Sequence, residues 1–348
     1  MAARAGTGPT FLAPQGPATQ RDTLLEVRNL VVHFPLGEAG KVVRAVDGVS
    51  LELAAGETLA LVGESGCGKS TLARAAVGLL TPTQGDVCFE GQRLEPLGAR
   101  SRRPFCRKLQ MVFQDPDASL DPRLTVAAAV SEALELHTAL ERSARTERVR
   151  ELLTDVGLDP TLGARFPHEL SGGQKQRVCI ARALAPGPRL LVCDEAVSAL
   201  DVSIQAQILN LLAELKERRG LSYLFITHDL RVVRHIADRV AVMYLGQLVE
   251  TAAVADLFEA PAHPYTQALL ASVPNLERAR DARRPPLAGE VPSPVSPPNG
   301  CRFHPRCPSA FERCRREAPS FYSLGTREAR CFLCEPKDDA AGAQESNR

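Results

Sequence analysis

Residues 63–70 run Gly63-Glu64-Ser65-Gly66-Cys67-Gly68-Lys69-Ser70, a complete G-x-x-x-x-G-K-[ST] match that follows the apolar strand Glu57 to Val62 and opens a helical stretch with Thr71. That run constrains the fold because it works only between the end of a strand and the start of a helix. Glycines let the backbone wrap so that successive N–H groups face a phosphate, and the helix N-terminus adds partial positive charge. Lys69 is then placed to reach the β- and γ-phosphates, and Ser70 to ligate magnesium. The competing reading is a glycine turn with an incidental lysine.

Two further segments extend the same chemistry. Leu190-Leu191-Val192-Cys193-Asp194-Glu195 is an apolar strand ending in two acids, with Asp194 suited to the magnesium shell and Glu195 to polarising a water as general base. Leu170-Ser171-Gly172-Gly173-Gln174 precedes a helical run Lys175 to Leu184; Ser171 is a natural N-cap, and the glycines bare N–H groups for an anion. Each alone is weak, since buried strands often end in an acid and capped helices are common. Their order after the phosphate loop gives them weight.

Around these segments the pattern alternates. Leu25 to Phe34, Val42 to Leu53, Leu109 to Phe113, Leu190 to Cys193 and Tyr223 to Thr227 are predicted strands, and Lys69 to Leu79 and Ile204 to Arg218 predicted helices. Ala, Leu, Glu and Arg at helical spacing from Ser119 to Ala164 predict a helical insertion, placed at about residues 115–180 as a subdomain. This is the rhythm of a mostly parallel sheet covered by helices, an α/β fold.

Composition narrows the setting. Against 42 Lys plus Arg stand 41 Asp plus Glu, so no bulk field holds the chain on nucleic acid or an anionic bilayer. The nearest basic patch, Arg100, Arg102, Arg103, Arg107 and Lys108, is expected to be a solvated surface turn. No apolar run approaches the roughly 18 residues of a membrane span, and Met1 to Gln20 lacks the apolar core of a secretory signal, so residues 1–22 and 336–348 are expected to be disordered tails and the chain cytoplasmic. Of 26 prolines, 12 fall between Pro261 and Pro319, which sets a domain boundary near residue 259.

The motifs together resemble the ATP-binding cassette (ABC) ATPases over roughly residues 24–258: Leu170 to Gln174 is similar to the family signature, Gln114 to the Q-loop, Ser198-Ala199-Leu200-Asp201 to the D-loop, and Thr227-His228-Asp229 to the switch histidine. The resemblance implies a P-loop NTPase cassette, with a RecA-like core, an antiparallel β-subdomain and a helical subdomain, over 23–258. It implies that ATP and Mg2+ are bound, that Gln114 senses magnesium, that His228 contacts the γ-phosphate and that Phe34 stacks on adenine; for Phe34 a half-buried strand residue is the alternative. It also implies that the signature, through Ser171, Gly172, Gly173 and Gln174, with Asp201 beside it, closes over ATP held by a second ABC ATPase subunit.

The segments from Phe113 to Pro116, Ala118 to Arg123, Val202 to Gln207 and His263 to Leu269 closely resemble the ATP-binding subunits of oligopeptide and dipeptide importers. That implies a peripheral ATPase at the cytoplasmic membrane face, two transmembrane permease partners, an extracytoplasmic solute-binding protein, and no nucleic acid. Ala196 departs from the family's usual proline, which leaves charge intact and predicts a slightly looser turn. Residues 259–335 are expected to form a small cysteine-rich C-terminal extension. Its thiols Cys301, Cys307, Cys314 and Cys331 lack the paired CxxC spacing of a zinc ribbon, and some members of the family carry a 4Fe-4S cluster at matching positions. Zinc and free thiols are the alternatives, and Cys334 is expected to be a spare.

Overall fold

The computed structural model describes residues 22–37, 40–94, 99–273 and 289–336. The expected tails over 1–22 and 336–348 lie almost wholly outside these residues, as do the side chains of Arg100, Arg102 and Arg103.

Two sheets organise the chain. Strands β1 (Thr23–Pro35), β2 (Val42–Ala54), β4 (Gln84–Phe89) and β5 (Gln92–Arg93) form an antiparallel sheet in the order β2-β1-β4-β5. The larger sheet contains β3 (Thr58–Val62), β6 (Leu109–Val112), β7 (Leu190–Asp194), β8 (Ser222–Thr227), β9 (Arg239–Tyr244), β10 (Gln247–Ala253), β11 (Tyr322–Leu324) and β12 (Arg327–Ala329), ordered β11-β12-β10-β9-β3-β8-β7-β6. From β9 to β6 neighbours are parallel, with Val62 opposite Thr227 and Val242, and Asp194 opposite Ile226. Every residue of β3, β7 and β8 is buried, which is why these strands are continuous apolar runs rather than alternating ones. Leu245 and Gly246 both take positive φ, 46° and 79°, and this two-residue turn folds β9 back into the antiparallel β10.

Helix boundaries follow from local chemistry. The helix after the phosphate loop spans Lys69–Ala76, shorter than expected, because Gly78 in the left-handed region ends it. The predicted insertion contains helices Val126–His137 and Arg142–Asp155; Thr125 caps the first by accepting from the Ala128 N–H at 3.3 Å. Val130, Leu134, Leu152 and Val156 then pack on Val178 and Ile180 of the helix Gly172–Leu184. One expectation is corrected: the basic stretch is a helix, Ala99–Lys108, rather than a surface turn. Two of its basic residues are used structurally, Arg107 Nε donating to the Pro186 carbonyl at 3.2 Å and Lys108 pairing with Glu90.

A third apolar cluster joins the C-terminal residues to the main sheet. Tyr265, at the start of the helix Pro264–Ala271, and Phe303 pack on Tyr244 of β9, with ring centroids 4.7 and 5.3 Å from it. No helix among the described residues is long and apolar enough to cross a membrane.

Candidate active site

The parallel strands deliver the polar residues to one end of the sheet. β3 ends at Val62, and the loop from Gly63 to Gly68 turns there into the helix Lys69–Ala76. A Cβ on Gly63 would lie 2.2 Å from the Met243 carbonyl oxygen, and one on Gly68, at φ 108°, would lie 2.0 Å from the Ala45 carbonyl oxygen. No other residue fits at either position without moving backbone. The helix start has no side-chain cap, so its first N–H groups keep their capacity for an anion.

Lys69 is buried and donates to the carbonyl oxygens of Gly63 and Glu64, at 2.8 and 3.0 Å, with Cys67 Sγ at 3.8 Å. The ammonium is thereby held against the loop it serves. Burial pushes the Cys67 thiol upward, so Cys67 is an inert packing residue there. Ser70 Oγ donates to Asp194 Oδ1 at 2.8 Å, which brings together the hydroxyl and the carboxylate expected to ligate magnesium. Burial raises the Asp194 pKa, against the pull of Ser70, Arg74 and Lys69. A buried carboxylate of this kind gains from a divalent cation.

Glu195 follows immediately with φ 48°, an uncommon conformation for a residue with a Cβ, fixed by its N–H donating to the Ile226 carbonyl at 3.0 Å and by Ser198 Oγ donating to its carbonyl at 2.9 Å. Its carboxylate accepts from Gln114 Nε2 at 3.1 Å and lies 3.5 Å from His228 Nδ1. Three residues far apart in sequence therefore converge at the ends of β6, β7 and β8, beside Ser70 and Asp194. Such a constellation can bind a triphosphate with its metal and orient a water on the γ-phosphorus.

The signature segment lies apart from it. Ser171 caps the helix Gly172–Leu184 in a reciprocal box: Gln174 N–H donates to Ser171 Oγ at 3.3 Å and Ser171 N–H to Gln174 Oε1 at 2.9 Å. The Gln174 N–H is thus already used, while Ser171 and Gly172 are exposed. A Cβ on Gly173 would come within 2.6 Å of Ile204 Cγ2, so packing on the next helix, Val202–Arg219, also demands glycine here. No hydrogen bond among the described residues ties this segment to residues 63–70 of the same chain. Asp201 precedes that helix, exposed and without a capping bond, and Phe34, 40% exposed, lies one residue before the end of β1, opposite Val43.

Sequence reasoning missed one set of contacts altogether. The Tyr265 hydroxyl accepts the Glu64 N–H at 2.9 Å, and Arg306 donates to both Glu64 carboxylate oxygens at 2.7 and 3.0 Å. Nothing in the linear order of residues 64, 265 and 306 signals this.

Cys301, Cys307, Cys314 and Cys331 line one small cavity with Phe303, His304 and Phe332, and Cys334 is not part of its wall. Burial, with the neighbouring thiols adding to it, pushes Cys301 up to about 11. Among the described residues, no three His, Cys, Asp or Glu side chains are grouped closely enough to hold a metal ion.

Comparison with known proteins adds to this geometry. Residues 46–198 match the family model described as ABC transporter, and residues 249–314 that described as oligopeptide/dipeptide transporter, C-terminal region. A probable peptide ABC transporter ATP-binding protein of Sinorhizobium fredii is 51% identical over 92% of each chain. The oligopeptide transport ATP-binding protein AppF of Bacillus subtilis is 51% identical over 87% of this chain and 95% of its own. A solved ATP-binding cassette, dimeric in a post-hydrolysis state with ADP and Pi, superposes with a TM-score of 0.61 at 30% identity, covering 66% of this chain and 99% of its own.

Proposed function

This chain belongs to the ATP-binding proteins of ABC transporters, in the branch that carries the oligopeptide/dipeptide transporter C-terminal region, and from that membership we propose how its residues do the work. It is an ATPase, the motor subunit of an importer for peptides or related small solutes, and it couples ATP binding and hydrolysis to transport through separate membrane permeases.

The observation that carries the assignment of roles is the convergence of Gln114, Glu195 and His228 beside the Ser70–Asp194 pair. Residues 63–71 wrap the phosphates, and Lys69 exchanges loop carbonyls for phosphate oxygens. Ser70, Asp194 and Gln114 hold magnesium. Glu195 takes a proton from water as the water oxygen attacks the γ-phosphorus; the bond to the β-phosphate oxygen breaks and ADP leaves. His228 then contacts the γ-phosphate, and Phe34 offers an exposed ring to adenine.

Completion of each site falls to a second cassette, identical or related. Ser171, Gly172 and Asp201 are exposed, with Gly173 half-buried beside them, and no hydrogen bond among the described residues ties them to the phosphate loop of their own chain, as such an arrangement requires. The motor sits peripherally at the cytoplasmic face with two permeases, supplied by an extracytoplasmic solute-binding protein. Residues 23–258 act as the cassette and 259–335 as an appended extension.

For that extension we favour a 4Fe-4S cluster on Cys301, Cys307, Cys314 and Cys331, with zinc second. Support comes from the four thiols lining one cavity and from the buried Arg330 Nε, which has no hydrogen-bond partner among the described residues although Arg330 lies close enough to Cys301 to be influenced by its charge. Either metal needs its thiolates drawn closer together than they stand, since no such grouping is found among the described residues. When bound, such a cluster cross-links the segment and supplies one-electron chemistry.

Size measurement on the Glu195→Gln protein with its intended partner cassette tests the assembly. ATP, gripped by the phosphate loop alone in a separate chain and by both chains in the dimer, should stabilise the dimer by about 1.4 kcal/mol for each tenfold gain in affinity on closure, so larger species should appear with ATP than without. No ATP-dependent association under those conditions would contradict the shared site.

A further inference from the structure

Glu64 is the one acid inside the phosphate loop, and every group it has is held. Its N–H goes to the Tyr265 hydroxyl at 2.9 Å, its carbonyl accepts from Lys69 Nζ at 3.0 Å, and its carboxylate takes the Arg306 fork at 2.7 and 3.0 Å. Two of the three holders come from beyond residue 259. Arg306 is the buried partner, 5% exposed against 27% for Glu64, and it also lies 5.9 Å from the Tyr244 ring centroid. The Glu64 carboxylate keeps the Arg306 guanidinium charged more firmly than usual.

A bare carboxylate beside a loop built to receive a polyanion repels that polyanion. A bidentate guanidinium removes the repulsion and fixes the side chain in one direction, which an ammonium would not do as well. Arg306 is also placed to transmit change. It ends a single turn, His304–Arg306, whose backbone is closed by Arg306 N–H donating to Phe303 at 3.0 Å and Cys307 N–H donating to His304 at 3.3 Å. Cys301 and Cys307 flank that turn and line the cavity beside it.

We propose that Arg306 is a positioning residue for ATP: it neutralises Glu64 and fixes the phosphate loop, so that the conformation of the cysteine-flanked turn sets nucleotide affinity. The proposal rests on the ATP-site reading above and deepens it. Coupling is reciprocal, so ATP in turn stabilises the turn.

The test is titration of the full-length chain with a fluorescent ATP analogue and Mg2+, for wild type, Lys69→Ala, Arg306→Ala, Arg306→Lys, and Arg306→Ala combined with Glu64→Gln. Arg306→Ala should weaken binding about 5- to 30-fold, in the lower part of the usual range for coupled sites because Glu64 is partly solvated. Arg306→Lys should fall between. The double variant should recover most of the loss relative to Arg306→Ala, a rescue that a merely structural arginine would not give. If Arg306→Ala fails to accumulate as folded protein by circular dichroism, Arg306→Lys with and without Glu64→Gln carries the same comparison. Binding unchanged within twofold in the arginine variants, or a loss that Glu64→Gln does not relieve, overturns the proposal. Wild type binding no better than Lys69→Ala would instead overturn the ATP-site reading itself.

Discussion

Replacing Glu195 by glutamine separates chemistry from structure at this site. The amide has the size of the carboxylate, its oxygen can still accept from Gln114 Nε2, now at 3.1 Å, and its nitrogen can face His228 Nδ1, now at 3.5 Å. The strained φ of 48° is maintained by main-chain bonds, Glu195 N–H to Ile226 and Ser198 N–H to Glu195, both 3.0 Å, which the substitution leaves alone. Folding stability should therefore change by no more than about 0.5 to 1 kcal/mol, and ATP affinity by less than about threefold. What disappears is the proton acceptor. A positioned general base contributes about 100- to 10,000-fold, so turnover should fall by that factor, equivalent to about 3 to 5 kcal/mol of barrier. The assay is phosphate release from the assembled transporter, with nucleotide titration and thermal unfolding on the same preparations. Hydrolysis within about fivefold of wild type would refute Glu195 as the base, and a loss matched by an equal loss of ATP affinity would reassign it to binding.

Two further outcomes concern the C-terminal residues. Anaerobically purified protein should be brown with about four irons per chain if the cluster assignment holds; serine at Cys301, Cys307, Cys314 or Cys331 should bleach it while serine at Cys334 matters less, and colourless protein holding one zinc would favour the second reading. Burial holds His263 down at about 3 against the ordinary 6.5, so it stays neutral in the folded chain while the unfolded chain protonates it. That costs nothing above pH 6.5 and removes up to about 1.4 kcal/mol of stability per pH unit as pH falls toward 3. His263→Asn keeps an acceptor for the Tyr265 N–H, now bound at 3.0 Å, and should flatten this part of the acid sensitivity. An unchanged difference in unfolding temperature between pH 7.5 and 5.5 would sink the assignment.

The nucleotide-facing half was legible because its constraints are local. A phosphate loop needs glycines at fixed spacing between a strand and a helix, and Gly63 and Gly68 each face a carbonyl oxygen that forbids a Cβ. Fully buried parallel strands write themselves as apolar runs, and the runs at β3, β7 and β8 each lie within one residue of the strand found there. The antiparallel β4 and β5 passed unnoticed: Gln84, Gly85 and Asp86 are poor strand formers, and pairing with β1 overrides their propensity. The run of like charges that suggests a solvated turn is instead a helix, formed even though Pro104 sits inside it. The grip of Tyr265 and Arg306 on Glu64 could not be seen at all, since it depends on how the third apolar cluster seats one segment against another 242 residues away in sequence.

The short pair β11 and β12 has a consequence for the order in which the molecule is made safe. β12 meets the outer side of β10 through Glu250 opposite Ala329 and Thr251 opposite Glu328, and β11 then forms the rim. Before residues 322–329 emerge from the ribosome, β10 therefore presents a row of unpaired amides and carbonyls to any passing strand. Once they dock, the rim is only three residues long and carries Tyr322, Ser323 and Leu324, too little for a foreign chain to extend. A fragment cut off before β11 would keep its phosphate loop and its parallel strands yet carry an open edge, and its characteristic failure should be self-association during expression rather than loss of nucleotide chemistry.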